Sequence, residues 1–116
     1  MKDNVVKDKS LEFAVRIVNL YKFLVNEQKE FVMSKQILRS GTSIGANIRE
    51  AEQAQSRADF INKLNIALKE ANETEYWLEL LIRTEYITRE QYESINNDST
   101  EINKLLICLL YTSPSP

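Results

Sequence analysis

Apolar residues return every three or four positions in four successive blocks of the chain, a spacing that predicts helices rather than strands. The first block opens at Ser10, read as an N-cap, and runs to about Glu27. Phe13, Ile17, Leu20 and Leu24 form one stripe, and Ala14, Val18, Tyr21 and Val25 form a second beside it. Together they make an apolar face wider than a coiled-coil seam requires, so this helix is expected to meet more than one neighbour.

The polar run Asn26–Glu30 separates it from a second block, capped at Ser34 and reaching about Ala54, whose stripe is Ile37, Gly41, Ile44, Ile48 and Ala51. Ser56 with Asp59 three positions on is a capping box, and it opens a third block from Arg57 to about Tyr86. There Phe60, Leu64, Ala67, Ala71, Thr74, Leu78 and Leu81 alternate steps of four and three, the period of left-handed bundle packing. A second box, Thr88 with Gln91, starts the last block, in which Tyr92, Ile95, Ile102, Leu106 and Leu109 keep the period around polar Ser99. Asn96–Thr100 are poor helix formers, so a kink or fraying is expected there. Short links between successive helices imply antiparallel neighbours. The predicted fold is all-α, an antiparallel up-down four-helix bundle over residues 10–107, preceded by a lead-in at 1–9.

Residues 108–116 break the pattern. Leu105 to Tyr111 is an unbroken apolar run, followed by Thr-Ser-Pro-Ser-Pro. The tail from Cys108 is read as adapter read-through that replaces the natural end of the last helix. The alternative is a genuine apolar contact segment with a disordered end.

Helix 2 carries both glycines of the chain, Gly41 and Gly45, four apart in a helix interior. Each costs about 1 kcal/mol in helix propensity against alanine, and close approach of another backbone is the expected compensation, within or between subunits. A phosphate loop is disfavoured, because no Gly-Lys-Ser/Thr ending and no preceding strand is present. Ser40, Ser43, Asn47 and Glu50 line one face of the same helix, either solvated or joined in a buried or inter-subunit hydrogen-bond network. On helix 3, Ile66, Glu70, Glu73 and Trp77 share a face. Carboxylates between an isoleucine and a tryptophan are read as paired with Arg39 or Arg49, with simple exposure as the alternative. Tyr76 and Trp77 are read as packing anchors rather than base-stacking platforms. Lys35, Arg39, Arg49, Arg57, Lys63 and Lys69 are the candidate nucleic-acid contacts, against a reading of them as an ordinary mixed surface.

Composition narrows the chemistry. The chain of 116 residues contains no histidine, which excludes imidazole bases, His-dependent triads and the Glu-x-x-His di-iron pattern. One cysteine excludes an internal disulfide framework. A hydroxyl nucleophile at Ser40 or Ser43 would have no evident base to activate it. Neither a cofactor, nor a metal site, nor an enzyme activity is expected. Net charge is −2 and the pI about 5.3, unlike a domain that binds nucleic acid chiefly through phosphates. No signal peptide or membrane span is read, so the expected location is the cytoplasm.

The run Gln36, Arg39, Ser40, Ser43, Ile44, Asn47, Ile48, Glu50 and Ala51 resembles the bacterial S23 family, four-helix proteins encoded within 23S ribosomal RNA intervening sequences. The similarity continues through Ser56, Arg57, Asp59 and Phe60, through Ile66 to Ala71, and through Glu73, Tyr76, Trp77 and Leu78. It spans about residues 10–107. The resemblance implies a homopentamer with no known enzyme activity and a poorly defined assembly or adaptor role. A related branch, the accessory variability proteins of diversity-generating retroelements, implies binding to RNA and a reverse transcriptase through strongly basic surfaces, which the acidic pI here opposes. In a ring, Arg39, Ser40, Gly41, Ser43, Gly45, Asn47, Glu50, Glu70, Glu73 and Trp77 become the candidate interface or polar-network residues.

Overall fold

The computed structural model describes residues 4–112 of the chain. Four helices follow one another: α1 Asn4–Asn26, α2 Met33–Glu52, α3 Arg57–Arg83 and α4 Arg89–Thr112. Each packs on its neighbours in chain order, and α1 returns to α4, so α1 and α3 stand diagonally across the bundle. Cross-helix pairs fix the directions. Lys7 meets Glu52 and Ile17 meets Gly41 between α1 and α2, while Glu50 meets Lys63 and Arg39 meets Glu70 between α2 and α3. Between α3 and α4, Glu75 meets Ser99 and Asn103; between α4 and α1, Ser94 and Asp98 meet Arg16. From α1 to α2 and from α2 to α3 rising numbers on one helix face falling numbers on the other, and the same holds between α1 and α4, where Lys9 also meets Glu101. The directions of α3 and α4 are then opposed as well, which is the up-down antiparallel bundle. The body measures 49 × 21 × 19 Å.

The core is the set of stripes read from the periodicity. Phe13, Ile17 and Leu24 of α1, Ile37, Ile44 and Ile48 of α2, and Leu64, Leu78 and Leu81 of α3 are buried, as are Ile95, Ile102 and Leu106 of α4. Each such side chain contributes roughly 1.5–3 kcal/mol by leaving water. Phe60, Leu20, Tyr92 and Leu109, at the margins of the stripes, are only partly covered.

Three element boundaries differ from expectation. Ser10 does not start α1, which begins at Asn4; Ser10 lies inside the helix, buried, with its hydroxyl donating to the Lys7 carbonyl at 2.9 Å. A serine back-bonded to an earlier carbonyl is compatible with a helix interior, so its presence did not mark an end. Ser34 does not cap α2 either. The acceptor is Glu30, whose carboxylate takes the backbone N–H groups of Val32, Met33 and Ser34 at 3.2, 3.0 and 2.7 Å. Asn96–Thr100 stays helical without fraying, and α4 continues through it to Thr112. The helix therefore runs past residue 107, while 113–116 lie outside the described residues.

Ser56 caps α3 by one bond of its box, and the Thr88 box closes in both directions. Ser56 Oγ accepts from Asp59 N at 3.1 Å; Thr88 Oγ1 accepts from Gln91 N at 3.1 Å while Gln91 Oε1 accepts from Thr88 N at 2.8 Å. At the other end of α3, Tyr86 N bonds to Leu81 O and Glu85 N to Ile82 O, with Glu85 at φ 67°. That is a Schellman turn with glutamate where glycine usually sits. Lys29 takes the same left-handed region after α1, at φ 55°.

Candidate functional site

The two glycines are used inside the subunit, on the α1 side of α2. A β-carbon at Gly41 would fall 2.7 Å from Ile17 Cγ1, and one at Gly45 would fall 3.3 Å from Ser10 Oγ. Their absence of side chains lets α1 lie close against α2.

The opposite flank of α2 faces α3 and holds most of the polar candidates. Ser40 is fully buried, with its Oγ 3.0 Å from Thr74 Oγ1, and Thr74 Oγ1 lies 2.8 Å from the Glu70 carbonyl. Small polar side chains at this level draw α2 and α3 together. One turn outward, the Arg39 guanidinium spans two carboxylates of α3. Its Nη1 donates to Glu70 at 2.8 Å and its Nη2 to Glu73 at 2.5 Å. Glu73 also accepts from Trp77 Nε1 at 3.1 Å. Among the alternatives for this face, the structure thus contains the ion pair to Arg39; Arg49 forms none among the described residues.

The electrostatics follow from these bonds. Trp77 N–H and then Arg39 hold the Glu73 carboxyl below its ordinary range, and Lys69 adds to this. The hydrogen bonds to Glu70 and Glu73 hold the Arg39 guanidinium above its own. A carboxylate held down and a guanidinium held up both keep their charges near neutral pH, so the cluster is a fixed clamp rather than a proton-transfer pair.

The remaining polar strip of α2 turns inward on its own helix. Ser43 Oγ donates to Arg39 O at 2.6 Å, and Asn47 Nδ2 donates to Ser43 O at 2.9 Å. Glu50 instead reaches Lys63 at 3.0 Å, and this raises the lysine pKa. Of the basic candidates, Arg39 and Lys63 are therefore spent on carboxylates of the facing helix. Lys35, Arg49, Arg57 and Lys69 form no ion pair among the described residues. The surface is of mixed charge. Among the described residues no group of three or more His, Cys, Asp or Glu is placed to hold a metal ion, and no helix is long and apolar enough to cross a membrane.

Beside the clamp, Trp77 is half-buried against the core, whereas Tyr76 is 59% exposed. Their rings meet edge to face, 5.1 Å between centroids at 73°. Tyr76 therefore anchors nothing in the core and stands out on the surface of α3.

A second surface feature lies on α1. Leu11 and Val15, one turn apart, are 50% and 54% exposed, next to the partly covered Ala14 and Val18. The second apolar stripe of this helix is thus only partly used inside the subunit. Leu11 and Val15 were not singled out by periodicity, although their i, i+4 spacing outside both stripes is the signal that marks them.

Comparison with known proteins gives the lineage. The family model described as 23S rRNA-intervening sequence protein matches residues 2–108. A crystal structure of a protein with unknown function from the S23 ribosomal protein family of Bacteroides thetaiotaomicron VPI-5482 is 96% identical, covers 97% of this chain and 100% of its own, and superposes with a TM-score of 0.95. No curated protein matches the chain. The chain belongs to the 23S rRNA-intervening sequence protein family, the S23 family.

Proposed function

We propose that this protein is a non-enzymatic, self-assembling bundle of the cytoplasm, a homopentamer that acts as an assembly or adaptor protein linked to 23S rRNA intervening sequences. The observation that carries the reading is the uncovered apolar face of α1, with Leu11 and Val15 half-exposed one turn apart. Apolar side chains set side by side on the outside of a helix are suited to cover by another protein surface. A closed ring needs two different patches on each subunit, because its contacts are head to tail. The Arg39–Glu73–Trp77 clamp with exposed Tyr76 supplies a second patch of suitable chemistry, since Trp, Tyr and Arg are the residues most used at interface centres. It lies largely on α3, diagonal to α1.

The test is light-scattering mass after size exclusion of the full chain, with the 260/280 absorbance ratio read on the same peak. The expected result is one nucleic-acid-free species of five subunits, reduced to a smaller species by Leu11→Glu with Val15→Glu at unchanged helical content. A monomeric wild-type protein overturns the proposal. A peak that carries nucleic acid at low salt and releases it at moderate salt replaces it with an RNA-binding role.

A further inference from the structure

We infer that α4 is the opening strap of the bundle: it detaches as a unit from a body formed by α1, α2 and α3. Three independent observations converge on this helix. The first is its seam with α1, which is held at the surface by charge. Arg16 donates to the Ser94 carbonyl, to Ser94 Oγ and to Asp98, and Lys9 pairs with Glu101. Behind these clasps the helices do not close. A groove of about 480 Å³ runs between them, with Leu20, Phe23, Ile87 and Ile95 among its lining residues.

The second observation is polarity at the opposite seam. Ser99 occupies a core-facing position and is fully buried, and it donates to Glu75 at 3.2 Å. Asn103 donates to the same carboxylate at 2.7 Å, and its own Oδ1 is buried without a partner. A buried acceptor left unmade weakens the closed state relative to an open one in which water reaches it. Along α3, by contrast, the stripe presents Leu64, Ala67, Ala71, Thr74, Leu78 and Leu81, and the hydroxyl of Thr74 is matched.

The third is intrinsic. Asn96, Asn97, Asp98, Ser99 and Thr100 are consecutive residues of low helix propensity at the middle of α4. They stay helical because Ile95, Ile102 and Leu106 are buried around them. Once those contacts part, little local preference holds the helix, so detachment and unwinding are coupled.

Hydrogen exchange on the full chain, read residue by residue, tests this. Amides from Ile95 to Leu106 are expected to exchange at least tenfold faster than the slowest amides of α2 and α3, with α1 as protected as α2. Asn97 and Thr100 are both exposed, so Asn97→Ala with Thr100→Ala changes propensity without touching the core. That double variant is expected to slow exchange in α4 roughly tenfold and leave the most protected amides of α2 and α3 within twofold. Arg16→Ala is expected to accelerate exchange in α4. If α4 exchanges with the same protection as α2 and α3, or if α1 opens together with it, the inference is overturned.

Discussion

Gly41 and Ile17 are packed so closely that a β-carbon on the glycine would sit 2.7 Å from Ile17 Cγ1 and 2.9 Å from Cγ2. Ile17 is fully buried in the core and cannot swing away, so the space at Gly41 belongs to α1. Gly41→Ala is therefore expected to destabilise the fold by about 1–3 kcal/mol through overpacking, despite the better helix former. Gly45→Ala meets only Ser10 Oγ at 3.3 Å, with backbone atoms beyond at 3.5 Å. There the propensity gain of about 1 kcal/mol opposes a small adjustment, and the expected change is near zero or stabilising. Urea unfolding of the two variants measures the contrast, and equal destabilisation would contradict it.

Glu73 gives a pH signature. Its carboxyl is held below its ordinary value of 4.5, first by the Trp77 indole N–H and then by Arg39. A depressed folded pKa contributes stability that is fully present above the unfolded value and is lost as pH falls through the folded one. Trp77→Phe removes the larger cause, so Glu73 is expected to titrate closer to 4.5 by carboxyl-detected NMR. The stability difference between wild type and variant should then narrow on acidification, on the acid side of 4.5, because the Glu73 part of it is lost there. A Glu73 titration unchanged by Trp77→Phe would show that the indole bond is not made.

At the start of α2, Glu30 and Ser34 have exchanged the roles their residue types suggest. Glu30→Ala strips the acceptor from three backbone N–H groups and is expected to cost about 1–2 kcal/mol. Ser34 Oγ is buried and bonds to nothing. Ser34→Ala is accordingly expected to be neutral or stabilising by up to about 1 kcal/mol. Thermal melts of the pair check this, and the reverse order would restore the serine as the cap.

Glu85 sits at φ 67° in the turn that ends α3. A side chain there costs about 1 kcal/mol that glycine does not pay in sterics, part of it returned through backbone entropy. Glu85→Gly is expected to raise unfolding stability by about 0.5–1 kcal/mol, seen as a higher urea midpoint at unchanged slope. A lowered midpoint would mean that the carboxylate makes an interaction worth more than the strain.

Legibility in the sequence varied with the range of the forces involved. The stripes of α2 and α3 could be read almost residue by residue, because a helix commits every third and fourth position to one side before any partner arrives. Ser56 with Asp59 and Thr88 with Gln91 were equally legible: each cap bond joins atoms three residues apart. Ser10 and Ser34 misled for the converse reason. A serine that caps and a serine that back-bonds or lies buried have the same local sequence signal, and only the surrounding helices distinguish them.

The clamp was half legible. The spacing placed Glu70, Glu73 and Trp77 on one face, but the choice of Arg39 over Arg49 depended on the register between α2 and α3. That register is set by close approach at Ser40 and Thr74, which is a property of packed surfaces. The turn residues Lys29 and Glu85 escaped notice altogether, since both glycines of the chain stand in α2 instead of at helix ends. By itself the sequence determined how many helices there are, which side of each is apolar and where two of them begin. The tertiary structure alone decided which charges meet, which serine is buried and which part of the α1 apolar face stays open, because these depend on distances between residues that the chain keeps far apart.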